Sequence, residues 1–304
     1  MDRLGRELGF ADGALWVKRD DLTGLGGGGN KVRKLEFLVG AALAQGCDTL
    51  LTCGATQSNH VRLTAAAARA SGLSCTAVLG GRRHERADGN VVLDELFGLD
   101  VVWIGAYDAG RVGTVLAETA MRLTAEGRHP YEIPLGGASE VGTLGYVVAA
   151  GELAAQAPLG SLVYTATGTG GTQTGLVVGL GHHDRVRGVD VGAIPDVGAR
   201  IEALAAGVAS LSGHPLPEGR PQIDQSQIGD GYATRSEAVR EALVMAARLE
   251  GLIFDPVYSG RALAGLIADR RSGRLAPDQP VVMLHTGGMP ALFADRFRDW
   301  FADG

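Results

Sequence analysis

Short, continuously apolar runs alternate with longer runs of helical periodicity along almost the whole of this chain. Residues 15–20 predict a strand, and Val32, Leu35, Phe37 and Leu38 recur at helical spacing directly behind four glycines at 26–29. Further strands are expected at 49–53, 74–79, 100–104, 162–166, 186–191 and 281–284, each a short apolar run. Helices are expected at 58–71, from 89–90 to Phe97, and at 112–126, 144–156, 197–211, 235–250 and 261–271, with another opening near Thr172 and running to Leu180. Gly72 and Gly251 stand where helix ends need a left-handed residue. Gly145 and Gly151 read as weak points of their helix, and residues 214–220 as a loop.

This order of strand and helix predicts an α/β fold with a mostly parallel sheet covered on both faces. Ligands of such sheets sit beyond the carboxyl ends of the strands, and most of the glycine-rich loops fall there. Glycine is the compositional outlier, 47 of 304 residues, about twice the usual share. Neither an internal repeat nor a composition-based domain boundary is visible.

Charge and composition then exclude several classes. A net charge of −6 weighs against a nucleic-acid partner, and the basic pair Arg82-Arg83 is interrupted by Glu85 and Asp88. The opening Met1-Asp2-Arg3-Leu4-Gly5-Arg6 lacks the apolar core of a secretory signal, so none is expected. No uninterrupted apolar stretch approaches the roughly 20 residues of a membrane span. Cys47, Cys53 and Cys75 show no metal or redox spacing and are expected as small hydrophobes in a reducing cytoplasm. His182-His183 reads as a solvated loop pair, and no metal site is expected.

The candidate chemistry begins at Gly29-Asn30-Lys31. Asn30 is a good helix N-cap, which puts Lys31 on a first turn, where the helix dipole disfavours a cation. That placement is tolerable for a lysine that works as a neutral amine or is condensed with a carbonyl. Lys34, one turn on, reads as a solvated surface charge. Residues 168–175, Gly-Thr-Gly-Gly-Thr-Gln-Thr-Gly, follow a strand and open a helix, so their N–H groups and hydroxyls make an anion cradle. Leu176 breaks the nucleotide P-loop pattern and Gln173 the dinucleotide pattern. The stretch equally suits a glycine turn with no ligand. Gln57-Ser58-Asn59-His60 would suit a substrate carboxylate, or a plain capping turn at Ser58. Tyr232, Tyr258 and, behind the last strand, Thr286 complete the set; tyrosines in such loops also serve packing.

These pieces together resemble fold type II pyridoxal phosphate (PLP) enzymes, in the group of D-cysteine desulfhydrases and 1-aminocyclopropane-1-carboxylate (ACC) deaminases. The resemblance is carried by Lys18-Arg19-Asp20-Asp21, Gly29 to Glu36, Gln57 to His60, Gly168 to Gly175, Asp255-Pro256-Val257-Tyr258 and His285-Thr286-Gly287-Gly288, in the family's order. It implies a two-domain fold with mostly parallel twisted sheets: residues 1–32 and 146–304 as a large cofactor domain, 33–145 as a smaller inserted one. Lys31 would carry PLP and shuttle the substrate proton. Asn59 would meet the cofactor's 3′ oxygen, and Thr169, Gly170, Gly171 and Thr172 its phosphate. Ser58, Asn59 and His60 would line the carboxylate site, and Ser58, Tyr232 and Tyr258 would act on the substrate.

Two departures qualify the likeness. ACC deaminases carry glutamate directly after the tyrosine matching Tyr258, where this chain has Ser259, and they lack the threonine at Thr286. A hydroxyl partner for the pyridine nitrogen weakens the ring as an electron sink, which disfavours cyclopropane opening more than loss of hydrosulfide. The expected activity is therefore β-elimination from a small amino acid, D-cysteine first, giving pyruvate, ammonia and hydrogen sulfide. L-Cysteate sulfo-lyase, ACC deaminase and β-replacement activities are the alternatives. The resemblance implies a homodimer. The leading segment at residues 1–9 is shorter than is usual in the family, so some packing or oligomer contact is expected to differ there.

Overall fold

A computed structural model describes residues 1–82 and 86–301. Arg83 and Glu85 of the interrupted basic cluster lie outside the described residues. In chain order the elements are α1 (Asp2–Glu7), β1 (Leu15–Arg19), α2 (Lys31–Ala44), β2 (Thr49–Ala55), α3 (Asn59–Ala70), β3 (Ser74–Gly80), α4 (Gly89–Leu96), β4 (Asp100–Trp103), α5 (Ala109–Ala125), β5 (Pro130–Glu132), α6 (Glu140–Gln156), β6 (Leu162–Thr167), α7 (Gly171–Leu180), β7 (Val186–Asp190), α8 (Val197–Ser212), β8 (Gln222–Asp224), α9 (Glu237–Glu250), α10 (Ser259–Arg271) and β9 (Val281–His285).

The strands form two sheets: β1-β9-β6-β7-β8, and β4-β3-β2-β5. Every pairing is parallel. The apolar runs explain this, since a strand buried on both faces cannot alternate and needs helices above and below it. All five residues of β9 are buried. Val281 and Met283 face the core formed with α9 and α10, while Val282 and Leu284 face the one formed with α6 and α7. Around the four-stranded sheet, Leu35, Leu38 and Ala42 of α2 meet Leu63, Ala67 and Ala68 of α3. The all-α/β, mostly parallel expectation holds. The chain builds two sheets, however, where periodicity alone pointed to one, because periodicity does not say which strands pair.

Three elements lacked a readable signal. α1 has six residues, and β5 and β8 three each, too few for a period to show. α6 begins at Glu140, a turn before the apolar pattern does, because Ser139 Oγ accepts the Gly142 N–H at 3.2 Å. Gly145 is no weak point. A Cβ there would lie 2.1 Å from the Arg33 carbonyl oxygen, so glycine lets α6 cross α2 closely. His182 is exposed as expected, but His183 is buried. The three cysteines are unpaired, and burial pushes the Cys53 thiol up to about 11 and the Cys75 thiol up to about 12. Among the described residues no helix is long and apolar enough to cross a membrane and no cluster could hold a metal ion.

Two buried ionic arrangements hold the glycine segment in place. Asp20, just past β1, accepts Arg33 Nε and Nη2 at 2.9 Å each and the Tyr146 hydroxyl at 2.5 Å, tying the five-stranded sheet to α2 and α6. Arg62 on α3 donates to the Gly26 carbonyl at 2.7 Å and to that of Gly28 at 3.3 Å. Near it, the buried Asp94 carboxylate has no hydrogen-bond partner on either oxygen among the described residues. Burial pushes it up from the ordinary 3.8 to about 7, against the pull of Arg62. An acid raised in this way costs no stability below pH 4 and a growing amount between pH 4 and 7, by at most about 4 kcal/mol. Asp94→Asn is therefore expected to raise the melting temperature strongly at pH 7.5 and much less at pH 4.5. Equal shifts at both pH values would refute this account.

Candidate active site

A cavity of about 490 Å³ opens where the carboxyl ends of β2, β3, β6 and β9 converge on the start of α2. Its wall includes Lys31, Ser58, Asn59, His60, Thr169, Gly170, Gly171, Thr172, Tyr232, Tyr258 and Thr286, so the residues expected to meet the cofactor or act on the substrate lie on one cavity.

The glycine run delivers Lys31. Gly28 has φ of 72°, and a Cβ there would lie 2.0 Å from the Asp21 carbonyl oxygen, so no other residue fits. The Asn30 N–H bonds the Thr286 carbonyl at 3.0 Å, docking the loop on the end of β9. Asn30 holds the N-cap position without capping. Its Nδ2 instead donates to Thr172 Oγ1 at 2.9 Å, joining the lysine loop to the anion cradle. Lys31 Nζ donates to the Gly136 carbonyl at 3.1 Å, and burial pushes this amine down to about 8.

Lys34 corrects the reading of it as a surface charge. It is fully buried, lines the same cavity and shares the Gly136 carbonyl at 3.3 Å. Burial first, then Lys31, hold its amine well below the usual range. A Cβ on Gly171 would lie 2.7 Å from Lys34 Nζ, so the amine sits against the first residue of α7. One turn of helix from Lys31 was the available signal, for residues i and i+3 share a face.

Gly170 takes a left-handed conformation and turns the chain into α7, whose first N–H groups have no intrahelical partners. Gln173 is a structural residue: its Oε1 accepts the Thr167 hydroxyl at 2.7 Å and its Nε2 donates to the Gln222 carbonyl at 3.1 Å. Ser58 does cap α3, accepting the Val61 N–H at 3.2 Å, and also lines the cavity. The Thr52 hydroxyl donates to the Ile133 carbonyl at 2.9 Å and so accepts from His60 Nε2 at 3.0 Å, which leaves His60 Nδ1 unprotonated. Burial, Lys31 and Lys34 hold this imidazole neutral. Tyr232 and Tyr258 place their hydroxyls 2.5 Å apart, and burial raises both phenols, Tyr258 well above the usual range. Ser259 does not face the cavity. It donates to Asp255 Oδ1 at 2.6 Å and lies 3.2 Å from the Gly287 carbonyl, leaving the Thr286 hydroxyl as the one from β9's end.

The donor set suits PLP. Among the described residues no Asp or Glu lines the cavity, while two buried amines, the N-terminus of α7 and threonine hydroxyls converge at one end. A phosphate monoester is an anion that such a cradle can accept, since the first N–H groups of α7 have no intrahelical partners. A buried lysine beside an anion cradle, where the carboxyl ends of parallel strands converge, suits a phosphorylated cofactor that condenses with an amine.

Comparison with known proteins agrees. The pyridoxal-phosphate dependent enzyme family matches residues 1–287, and the chain belongs to that family. PLP is its cofactor. The chain is 39% identical to the D-cysteine desulfhydrase of Yersinia pestis (strain Pestoides F), over 97% of this chain and 92% of that one. It is 40% identical to a Pyrococcus abyssi (strain GE5 / Orsay) protein provisionally named 1-aminocyclopropane-1-carboxylate deaminase, over 96% and 89%. The crystal structure of an ACC deaminase homologue superposes with a TM-score of 0.89 at 38% identity, covering 99% of this chain and 90% of that one. The chain is thus a fold type II PLP enzyme similar to D-cysteine desulfhydrases.

Proposed function

We propose that the protein catalyses β-elimination of hydrosulfide from D-cysteine, giving pyruvate, ammonia and hydrogen sulfide. The observation that carries this is the absence of any carboxylate among the described residues of the cavity wall, which leaves Thr286 as the hydroxyl partner for the pyridine nitrogen. When bound, PLP supplies an electron sink for the pair left at the substrate Cα. Lys31 holds the cofactor and, as a neutral amine, takes the Cα proton. Gly170, Gly171, Thr172, Thr169 and Lys34 hold the phosphate. The Ser58 hydroxyl and the N–H groups of Asn59 and His60 at the start of α3 hold the substrate carboxylate. The two phenols keep their protons at neutral pH, so the Tyr232–Tyr258 pair acts as the acid, protonating the departing sulfur.

Arg296 supports a second reading. It is a cation on the cavity wall beside Tyr232 and suits a sulfonate β-substituent, as in L-cysteate. The same proposal takes residues 1–32 and 146–304 as the cofactor domain and 33–145 as the smaller one, and the protein as a cytoplasmic homodimer. Incubation of the PLP-loaded protein with D-cysteine, L-cysteine, L-cysteate and ACC, with keto acids identified by mass spectrometry, tests the activity. Pyruvate fastest from D-cysteine is expected. 2-Oxobutanoate from ACC as the main product would overturn it.

A further inference from the structure

Asn90, on α4, reaches the site without lining it. It is fully buried, and its Nδ2 donates to two acceptors: the Gln57 backbone carbonyl at 3.1 Å and Asn59 Oδ1 at 3.0 Å. A backbone carbonyl can only accept, so this contact fixes which end of the Asn90 amide is nitrogen. Asn90 then fixes the Asn59 amide, because its N–H can pair only with the oxygen of Asn59. The consequence lies on the cavity side. Asn59 must turn its Nδ2 outward, and that atom has no hydrogen-bond partner among the described residues.

The neighbouring bonds hold Asn90 itself. The Gln57 side chain accepts the Asn90 backbone N–H at 2.8 Å and donates Nε2 to Asp88 Oδ1 at 2.7 Å. The other oxygen of Asp88 accepts the Asp295 N–H at 2.6 Å. A chain of directed bonds therefore runs from the C-terminal segment through Asp88, Gln57 and Asn90 to Asn59, each with one permitted polarity.

We infer that Asn90 is a positioning residue that presents Asn59 to the cofactor as a hydrogen-bond donor and so keeps the cofactor's 3′ oxygen anionic. The inference rests on the reading of Asn59 as the partner of that oxygen. A donor stabilises an oxyanion, whereas an amide turned the other way would set oxygen against oxygen and favour the protonated hydroxyl. Without Asn90 the Asn59 amide is free to take either orientation.

The test uses the visible spectrum and the affinity of bound PLP, with no substrate. Asn90→Ala and Asn59→Ala are each expected to shift absorbance from the long-wavelength band toward the near-ultraviolet band and to weaken PLP binding about tenfold, the loss of one hydrogen bond to a charged acceptor. The double variant should resemble Asn59→Ala alone, still about tenfold weaker, because Asn90 acts only through Asn59. If Asn90→Ala does not fold, the isosteric Asn90→Asp serves, since a carboxylate cannot donate to Asn59 Oδ1. A roughly hundredfold loss in the double variant, or an Asn90 substitution that leaves the spectrum untouched, would overturn the inference. An unchanged spectrum in Asn59→Ala would overturn the reading beneath it, and the inference with it.

Discussion

Lys31→Ala is expected to lower D-cysteine turnover by about four orders of magnitude and to abolish covalent attachment of PLP. Removing a general base alone costs about 10²–10⁴, and here the same amine also holds the cofactor. The placement at the first turn of α2 makes the effect specific. Burial holds Lys31 at about 8, so a substantial fraction is neutral near physiological pH. The sign of the pH dependence follows. Only the neutral amine attacks a carbonyl, so PLP loading of the cofactor-free protein should accelerate as pH rises toward 8 and level off above it. Stopped-flow absorbance reads this directly. A loading rate that falls with rising pH, or substantial turnover by rigorously purified Lys31→Ala, would remove Lys31 from this role.

Much of this arrangement was legible in the residues, for identifiable reasons. The central strands β2, β3, β6, β7 and β9 are buried on both faces, and burial on both faces writes itself as a continuous apolar run. Glycine loops declare themselves because positions such as Gly28 and Gly170 exclude side chains or require positive φ. What stayed hidden was partnership. Lys34 reads locally as any helix lysine, and only the packing of α2 against the Gly136 turn and the start of α7 buries it. Asn30 reads as a cap but bonds Thr172, 142 residues away. Ser259 stands next to Tyr258 in sequence, yet its hydroxyl belongs to Asp255, because the residue opening α10 turns inward. Asn90 carries no motif at all; its importance lies in which atoms it leaves Asn59.

Lys34→Met is expected to act with opposite signs on the cofactor-free and the loaded protein. Without PLP, Lys34 is a fully buried amine with one shared carbonyl as its acceptor, and burial together with neighbouring Lys31 disfavours its charge. Methionine has nearly the same length and no amine to desolvate, so the cofactor-free variant should melt at a higher temperature. With PLP present the balance reverses. The amine beside Gly171 faces the phosphate cradle, and a charge-assisted bond to a dianion contributes about 1.5–3 kcal/mol. Its loss should weaken PLP binding by about 10- to 100-fold. The gain in melting temperature on adding PLP should therefore shrink, even as the cofactor-free baseline rises. A purely structural lysine would lower both temperatures together. A lysine that only tunes Lys31 would change the pH dependence of loading and leave PLP affinity as it was. Thermal melts of Lys34→Met with and without PLP, beside a PLP titration, separate the three.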